Sequence, residues 1–231
     1  MIVISAVCLS LAGISGVLWQ RQDRARLEAY IRNFILPKGL FEKLRERHPD
    51  LTFKDCQLVA QGLRQFFLGH LKSGREFVAM PSQVADDLWH EFILYTKNYQ
   101  EFCQQAFGRF LHHTPAVVMS KGQRDNAGIY RSWFFACQEE NISPEHPTRL
   151  PLLFALDSKL NIKNGFIYVA DCSGVTRQAG DGAVVYCGAE IADTGCGASG
   201  NDTAGDSDGG ADGGGSDGGG CGGGGCGGGG S

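Results

Sequence analysis

The stretch that decides the fold is Pro81–Pro115, PSQVADDLWHEFILYTKNYQEFCQQAFGRFLHHTP. Ser82 is a favourable N-cap residue, and Asp86 and Asp87 lie just past the first turn, where negative charge suits the helix dipole. Apolar side chains then recur, all but the last at three- or four-residue spacing: Val84, Leu88, Phe92, Tyr95, Tyr99, Phe102 and Phe107. This period predicts one long amphipathic helix, which Gly108 ends and on which a helical domain packs.

The segments on either side show the same helical period. We predict a mainly α fold, with a compact helical domain over residues 37–170. Its other helices are expected at these positions: a short one from Leu40 to the His48-Pro49 step, then Phe53–Leu71, Asn126–Glu140 and Leu150–Leu160. Residues 166–170 form either an edge strand or an extended segment.

The N-terminal residues 1–20 predict a single transmembrane anchor. Nineteen residues, Met1–Trp19, contain no charged side chain, and as a helix they measure about 28 Å, close to the thickness of a bilayer core. Arg21, Arg24 and Arg26 follow at once, so the positive-inside rule places the bulk of the chain on the cytoplasmic side, at the inner membrane if the chain is bacterial. The alternatives are a signal peptide, which lacks its basic n-region here, and a buried globular helix.

An amphipathic juxtamembrane helix is expected over residues 21–36, where the polar part of the chain begins. At the other end, residues 171–193 predict an irregular transition, and residues 194–231 a disordered tail that is mostly Gly with Asp, Ser and Cys. The net charge of −4 gives no basic footprint, which excludes a typical nucleic-acid-binding protein. The nine cysteines include no C-x-x-C pair, and their scatter favours reduced thiols in the cytosol.

A polar cluster on the central stretch is the candidate functional site. Asp86 and Asp87 precede His90 by four and three residues, which places both carboxylates on its helix face. Cys103 lies further along, and His112 and His113 follow the bend at Gly108. Carboxylate, imidazole and thiolate groups are ligands for a transition metal such as zinc. The same Asp–His pair can instead orient an imidazole for acid–base chemistry, or serve only as a helix-stabilising pair.

No sequence motif identifies a reaction. The chain has no G-x-S-x-G, no P-loop and no G-x-G-x-x-G that leads into a helix. Two hypotheses follow for a membrane-anchored protein. The first is a cytosolic helical domain that binds or assembles with protein partners. The second is a metal-binding domain, with an enzymatic or structural purpose, that uses the cluster of the central stretch.

The pattern Asp86-x-x-Trp89-His90, followed by Tyr99, Cys103, Gly108 and the histidines before Pro115, resembles the glycine-rich domain-containing protein-like family. The resemblance covers residues 40–170. It implies a relationship to bacterial membrane-anchored proteins and to plant proteins with Gly-rich C-terminal regions. The family carries no established ligand or catalytic residues, so the resemblance implies only which residues to test: Asp86, Trp89, His90, Tyr99, Cys103 and His112.

Overall fold

The structure is a computed structural model. It describes residues 2–113, 123–171 and 185–194, with side chains for 13–113, 127–171 and 185–192. The described residues form eight helices and two short strands: α1 (Ile2–Asn33), α2 (Leu40–Arg47), α3 (Phe53–Lys72), α4 (Gln83–Leu94), α5 (Thr96–Phe107), α6 (Gln123–Glu139), α7 (Leu152–Lys159), β1 (Ile167–Val169), β2 (Val185–Cys187) and α8 (Gly188–Thr194). The predicted mainly α fold is confirmed.

Several helices begin and end where the sequence predicts. The helix α3 starts with a reciprocal capping box, in which the Thr52 hydroxyl accepts from the Asp55 amide and the Asp55 carboxylate accepts from the Thr52 amide. The C-cap of α2 is His48, next to the proline that blocks further helix. Helix α1 runs without a break through residues 21–33 and ends four residues before Pro37.

The single long helix predicted over the central stretch is wrong, because the chain breaks at Tyr95 into α4 and α5. The backbone of Tyr95 leaves helical geometry at φ −80° and ψ 59°. Its hydroxyl donates to the carbonyl of Lys38, 3.3 Å away in the turn that leads into α2. The apolar period survives the break, since Phe92 and Tyr99 are both fully buried. Periodicity alone therefore could not reveal it.

The core forms around α3, which packs against α1, α2, α4, α6 and α7. Aromatic rings fill the space between α1, α3, α4 and α5. Phe102 lies at its centre, with ring centroids 4.6 Å from Phe34 and 4.9 Å from Phe67. The second half of α1 is thus part of the domain, where Ile31 is fully buried.

A buried carboxylate fixes the start of α4. Asp157, on α7, is 3% exposed. Its Oδ1 accepts from the Ser82 hydroxyl at 2.7 Å and the Val84 amide at 3.2 Å, and its Oδ2 from the Gln83 amide at 2.7 Å and the Phe166 amide at 2.9 Å. The first-turn amides of a helix have no partner inside the helix, so this carboxylate satisfies them from outside and complements the helix dipole.

The chain after residue 171 differs in part from its prediction. Within the segment expected to be irregular, β2 pairs in parallel with β1, and α8 packs against α6. Cys187 is disulfide-bonded, contrary to the expectation of reduced thiols, and it is not among the free cysteines Cys56, Cys103 and Cys137. The disordered tail predicted from residue 194 lies outside the described residues, apart from Thr194 at the end of α8.

Among the residues whose side chains the structure describes, which begin at residue 13, no helix is both long and apolar enough to span a membrane.

Replacing Asp157 with Asn should lower the free energy of unfolding by about 2–4 kcal/mol, because an amide NH₂ would face two backbone N–H donors in a buried site. Urea denaturation measures the loss. The matched control is Asp55→Asn, which weakens a cap on the surface and should cost clearly less. A loss at Asp157 no larger than that at Asp55 would contradict the bridging role.

A buried histidine predicts a pH dependence of stability. His70 is 4% exposed, its Nδ1 lies 2.9 Å from the carbonyl of Glu76, and its ring packs edge-on against Phe107. Burial, and to a smaller extent the nearby Arg109 and Arg75, lower its pKa. The unfolded chain therefore takes up the proton first. The contribution of His70 to the free energy of unfolding is fully present above about pH 6.5, and it is lost as the pH falls below that value.

Denaturation of wild type and His70→Asn between pH 7.5 and pH 5 tests this effect, since asparagine can donate a similar hydrogen bond but does not titrate. The stability difference between the two should shrink as the pH falls, by up to about 1.4 kcal/mol per pH unit. A difference that stays constant or grows toward acid pH would show that burial does not depress the His70 pKa.

Candidate metal centre

Asp86, His90 and His113 come together at the surface of the domain, and each offers a ligand atom within 4.8 Å of the others. The Nε2 of His113 lies 2.8 Å from Oδ1 of Asp86, and the Nδ1 of His90 lies 3.5 Å from Oδ2. The ring centroids of the two histidines are 4.2 Å apart. A carboxylate and two imidazoles thus face one small volume, the donor set that suits a first-row transition metal.

The two ligands on α4 follow from helical geometry, whereas His113 arrives from the segment after α5. Gly108 makes the reversal possible, because it ends α5 with a positive φ of 70°. The buried Tyr99 fixes the returning segment, because its hydroxyl donates to the carbonyl of Leu111 at 2.6 Å. Two residues later, His113 lies against α4.

Trp89 supports this arrangement from the buried side of α4. Its indole Nε1 donates to the Tyr99 hydroxyl at 3.1 Å, so Trp89, Tyr99 and the Leu111 carbonyl form one chain of hydrogen bonds. The indole ring also packs edge-on against the His113 imidazole, with centroids 4.6 Å apart. Trp89 is only 4% exposed and holds its place through contacts with Phe66. These side chains restrict the position of His113 before any ligand arrives.

Two predicted ligands, Cys103 and His112, are not part of the cluster. Cys103 is fully buried beside Tyr99 and Leu111. Burial raises the pKa of its thiol, which disfavours the thiolate that a metal needs. His112 is exposed, and its ring packs against Phe110, with centroids 4.8 Å apart. Of the five candidate ligands, the structure therefore brings together Asp86, His90 and His113.

Asp87 belongs to a second group that sequence analysis missed. Its Oδ1 accepts from Nη1 of Arg47 at 2.6 Å, and its Oδ2 lies 2.8 Å from Nε2 of His48. Asp86 and Asp87 lie four and three residues before His90, so helical spacing alone allows either carboxylate to lie beside it. Only the packing of α2 against α4 shows what Asp87 binds.

The cluster is accessible and close to ligating geometry. Side-chain exposures are 42% for His90, 23% for Asp86 and 13% for His113. Ligands about 2.0–2.2 Å from an ion lie about 3.0–3.5 Å from each other, so small side-chain movements bring all three onto one metal. Three protein ligands leave coordination positions open to water or to a substrate group.

A profile of the UCP032817-like family matches residues 26–191, which is more than half of the 231 residues. The chain belongs to this family. The matched range contains the whole cluster and the helices that position it, and the family's description states no activity. Comparison with curated proteins and with solved structures found no match.

Proposed function

We propose that this UCP032817-like protein binds a divalent transition metal at Asp86, His90 and His113. The observation that carries the proposal is the convergence of three ligand atoms within 4.8 Å, two from α4 and one from a separate segment. A surface Asp–His pair on one helix is common without a metal. Here a chain of hydrogen bonds from Trp89 through Tyr99 to the Leu111 carbonyl fixes the segment that carries the third ligand.

The proposed site favours zinc or another ion that accepts mixed nitrogen and oxygen ligands. Metal binding would replace the contact between His113 and Asp86. Because a metal needs the unprotonated imidazole nitrogens and the carboxylate, affinity should fall as the pH is lowered. The open coordination positions fit a role in which the metal contacts a further molecule, which distinguishes this site from a closed structural zinc site.

The full-length chain, stripped with chelator, should bind about one equivalent of Zn²⁺ or Co²⁺ in calorimetry, and bound Co²⁺ reports its ligands through its visible spectrum. His90→Ala and His113→Ala should each weaken binding by at least the factor of about 10–100 typical of losing an outer-shell partner, because each removes a direct ligand.

The chain offers a matched control in His112→Ala. This residue has the same side chain and is next to His113, but it is exposed and outside the cluster. Its substitution should leave affinity and the Co²⁺ spectrum unchanged. Two results would refute the proposed site: an apo chain that binds no metal stoichiometrically, or a His112→Ala variant as impaired as His113→Ala.

We also propose that residues 1–20 anchor the domain in a membrane. Support comes from the uncharged sequence Met1–Trp19 and from the lack of protein cover on the described part of this segment. Side chains there are half to two-thirds exposed: Ile14 56%, Val17 50%, Leu18 58% and Trp19 69%. An exposed apolar surface of this kind on a continuous helix suits contact with lipid.

Membrane fractionation tests the anchor. Wild type should stay with membranes after a high-salt or carbonate wash, whereas Ile14→Arg with Val17→Arg should shift protein to the soluble fraction, because a charge within the bilayer costs about 2.5–3.5 kcal/mol. The control is Ile35→Arg, which charges an apolar side chain that is 86% exposed beyond the end of α1 and should not change the distribution. Release of wild type by salt alone would exclude an integral anchor.

Two features of the chain favour opposite orientations of the anchor. Arg21, Arg24 and Arg26 favour a cytoplasmic domain, whereas the disulfide at Cys187 is of a kind rare in the cytosol. We propose the cytoplasmic side. A reporter that is active only in the cytoplasm, fused after Ser231, should be active. Activity of a periplasmic reporter instead would reverse the orientation.

A further inference from the structure

A cleft of about 730 Å³ opens where the end of α1, one face of α3 and the ends of α6 and α7 meet. Its volume lies in the range of small-molecule sites. One face of α3 forms much of its wall, since Gln57, Gln61 and Arg64 follow one another at helical spacing. Leu58, Leu68 and Leu152 add an apolar part. These residues are distinct from the proposed metal ligands.

Arg64 is the unusual group in this cleft. Its guanidinium Nη2 donates to the carbonyl of Phe34 at 2.9 Å, but Nε is buried and has no hydrogen-bond partner among the described residues. Its Nη1 donates to no group among the described residues. Nor does any carboxylate in that part of the chain lie within ion-pairing distance of the guanidinium. Burial lowers the pKa of Arg64, as expected for a cation that loses water without gaining an anion.

The two carboxylates that line the cleft already form ion pairs and hydrogen bonds with groups other than Arg64. Glu139 accepts from Arg32 and from Lys72, each at 2.8 Å. Although burial acts in the opposite direction, these hydrogen bonds hold its pKa below the usual value.

Glu140 is occupied in the same way. It accepts from Gln65 at 2.8 Å and the Leu152 amide at 2.6 Å, and it pairs with Arg149. Its pKa is likewise lowered against the effect of burial. Neither carboxylate neutralises Arg64.

We infer that the cleft binds a small carboxylate whose other end is a short apolar chain. A carboxylate would supply an anion for Arg64, which has none among the described residues, and could accept from the amides of Gln57 and Gln61, which extend from the same helix face. The apolar end would contact Leu58, Leu68 and Leu152. A partly buried cation without a counter-ion is costly in the free protein, and the ligand would remove that cost.

Calorimetry and thermal unfolding of the full-length chain in a non-ionic detergent test this inference with hexanoate, acetate and inorganic phosphate. Hexanoate should bind saturably and raise the Tm, and acetate should bind more weakly because it leaves the leucines uncovered. Arg64→Met should lose hexanoate binding while its ligand-free Tm stays equal to or above that of wild type, since methionine preserves the apolar stem and removes an unpaired charge.

Arg64→Lys keeps the charge but not the planar guanidinium with its paired N–H donors, so it should bind hexanoate at least about tenfold more weakly than wild type. If Arg64→Met does not fold, this variant alone carries the test. The matched control is Arg45→Met, which removes an arginine that also donates to a backbone carbonyl, that of Leu51, but lies outside the cleft. It should bind as wild type does.

Three results would overturn the inference. The first is the absence of saturable hexanoate binding by wild type. The second is equal affinity in wild type and in the folded Arg64 variant. The third is phosphate or acetate binding as tightly as hexanoate, which would leave no role for the apolar part of the cleft.

Discussion

The buried carboxylate of Asp157 is the interaction on which the arrangement of the domain depends. Through four hydrogen bonds it joins α7 to the first turn of α4 and to the segment that leads into β1. Gly165 lies so close that a Cβ there would fall 2.7 Å from the Asp157 Cβ, so the segment must pass directly over the carboxylate. So little exposure is tolerable because one hydroxyl and three backbone amides donate to the two carboxylate oxygens. Asp86 and His90 follow within the next two turns of the same helix.

A second chain of hydrogen bonds places the remaining ligand. The link from Trp89 through Tyr99 to the Leu111 carbonyl connects the buried side of α4 to the segment beyond α5. Because Trp89 and His90 are neighbours, one contributes to the core while the other reaches the surface. The same short sequence thus provides both a ligand and the support for its partner His113. In the pattern that begins at Asp86-x-x-Trp89-His90, Tyr99 and Cys103 therefore have structural positions and need no contact with a metal.

Most helices are predictable from the sequence because their apolar spacing and their caps are local signals. The reciprocal cap at Thr52 and Asp55 and the stop at His48-Pro49 need no tertiary information. The break at Tyr95 was missed because its stripe of buried residues continues across it, and the contact that accompanies it is with Lys38, far away in sequence. The strand β2 was missed for a related reason. Three residues carry little periodic signal, although they belong to the short apolar run Ala183–Cys187, and the partner strand supplies their hydrogen bonds.

The sequence by itself determined the helical class, the uncharged N-terminal stretch and the pairing of Asp86 with His90, since each follows from spacing along one segment. Tertiary structure alone decided which of two adjacent histidines joins them, because His112 and His113 are equivalent until Gly108 and Tyr99 set the path of the returning chain. It also decided that Cys103 is core and that Asp87 faces α2. Arg64 shows the same limit. A helix sequence reveals the presence of an arginine, but only the packing of α1, α3, α6 and α7 shows that no described carboxylate serves as its counter-ion.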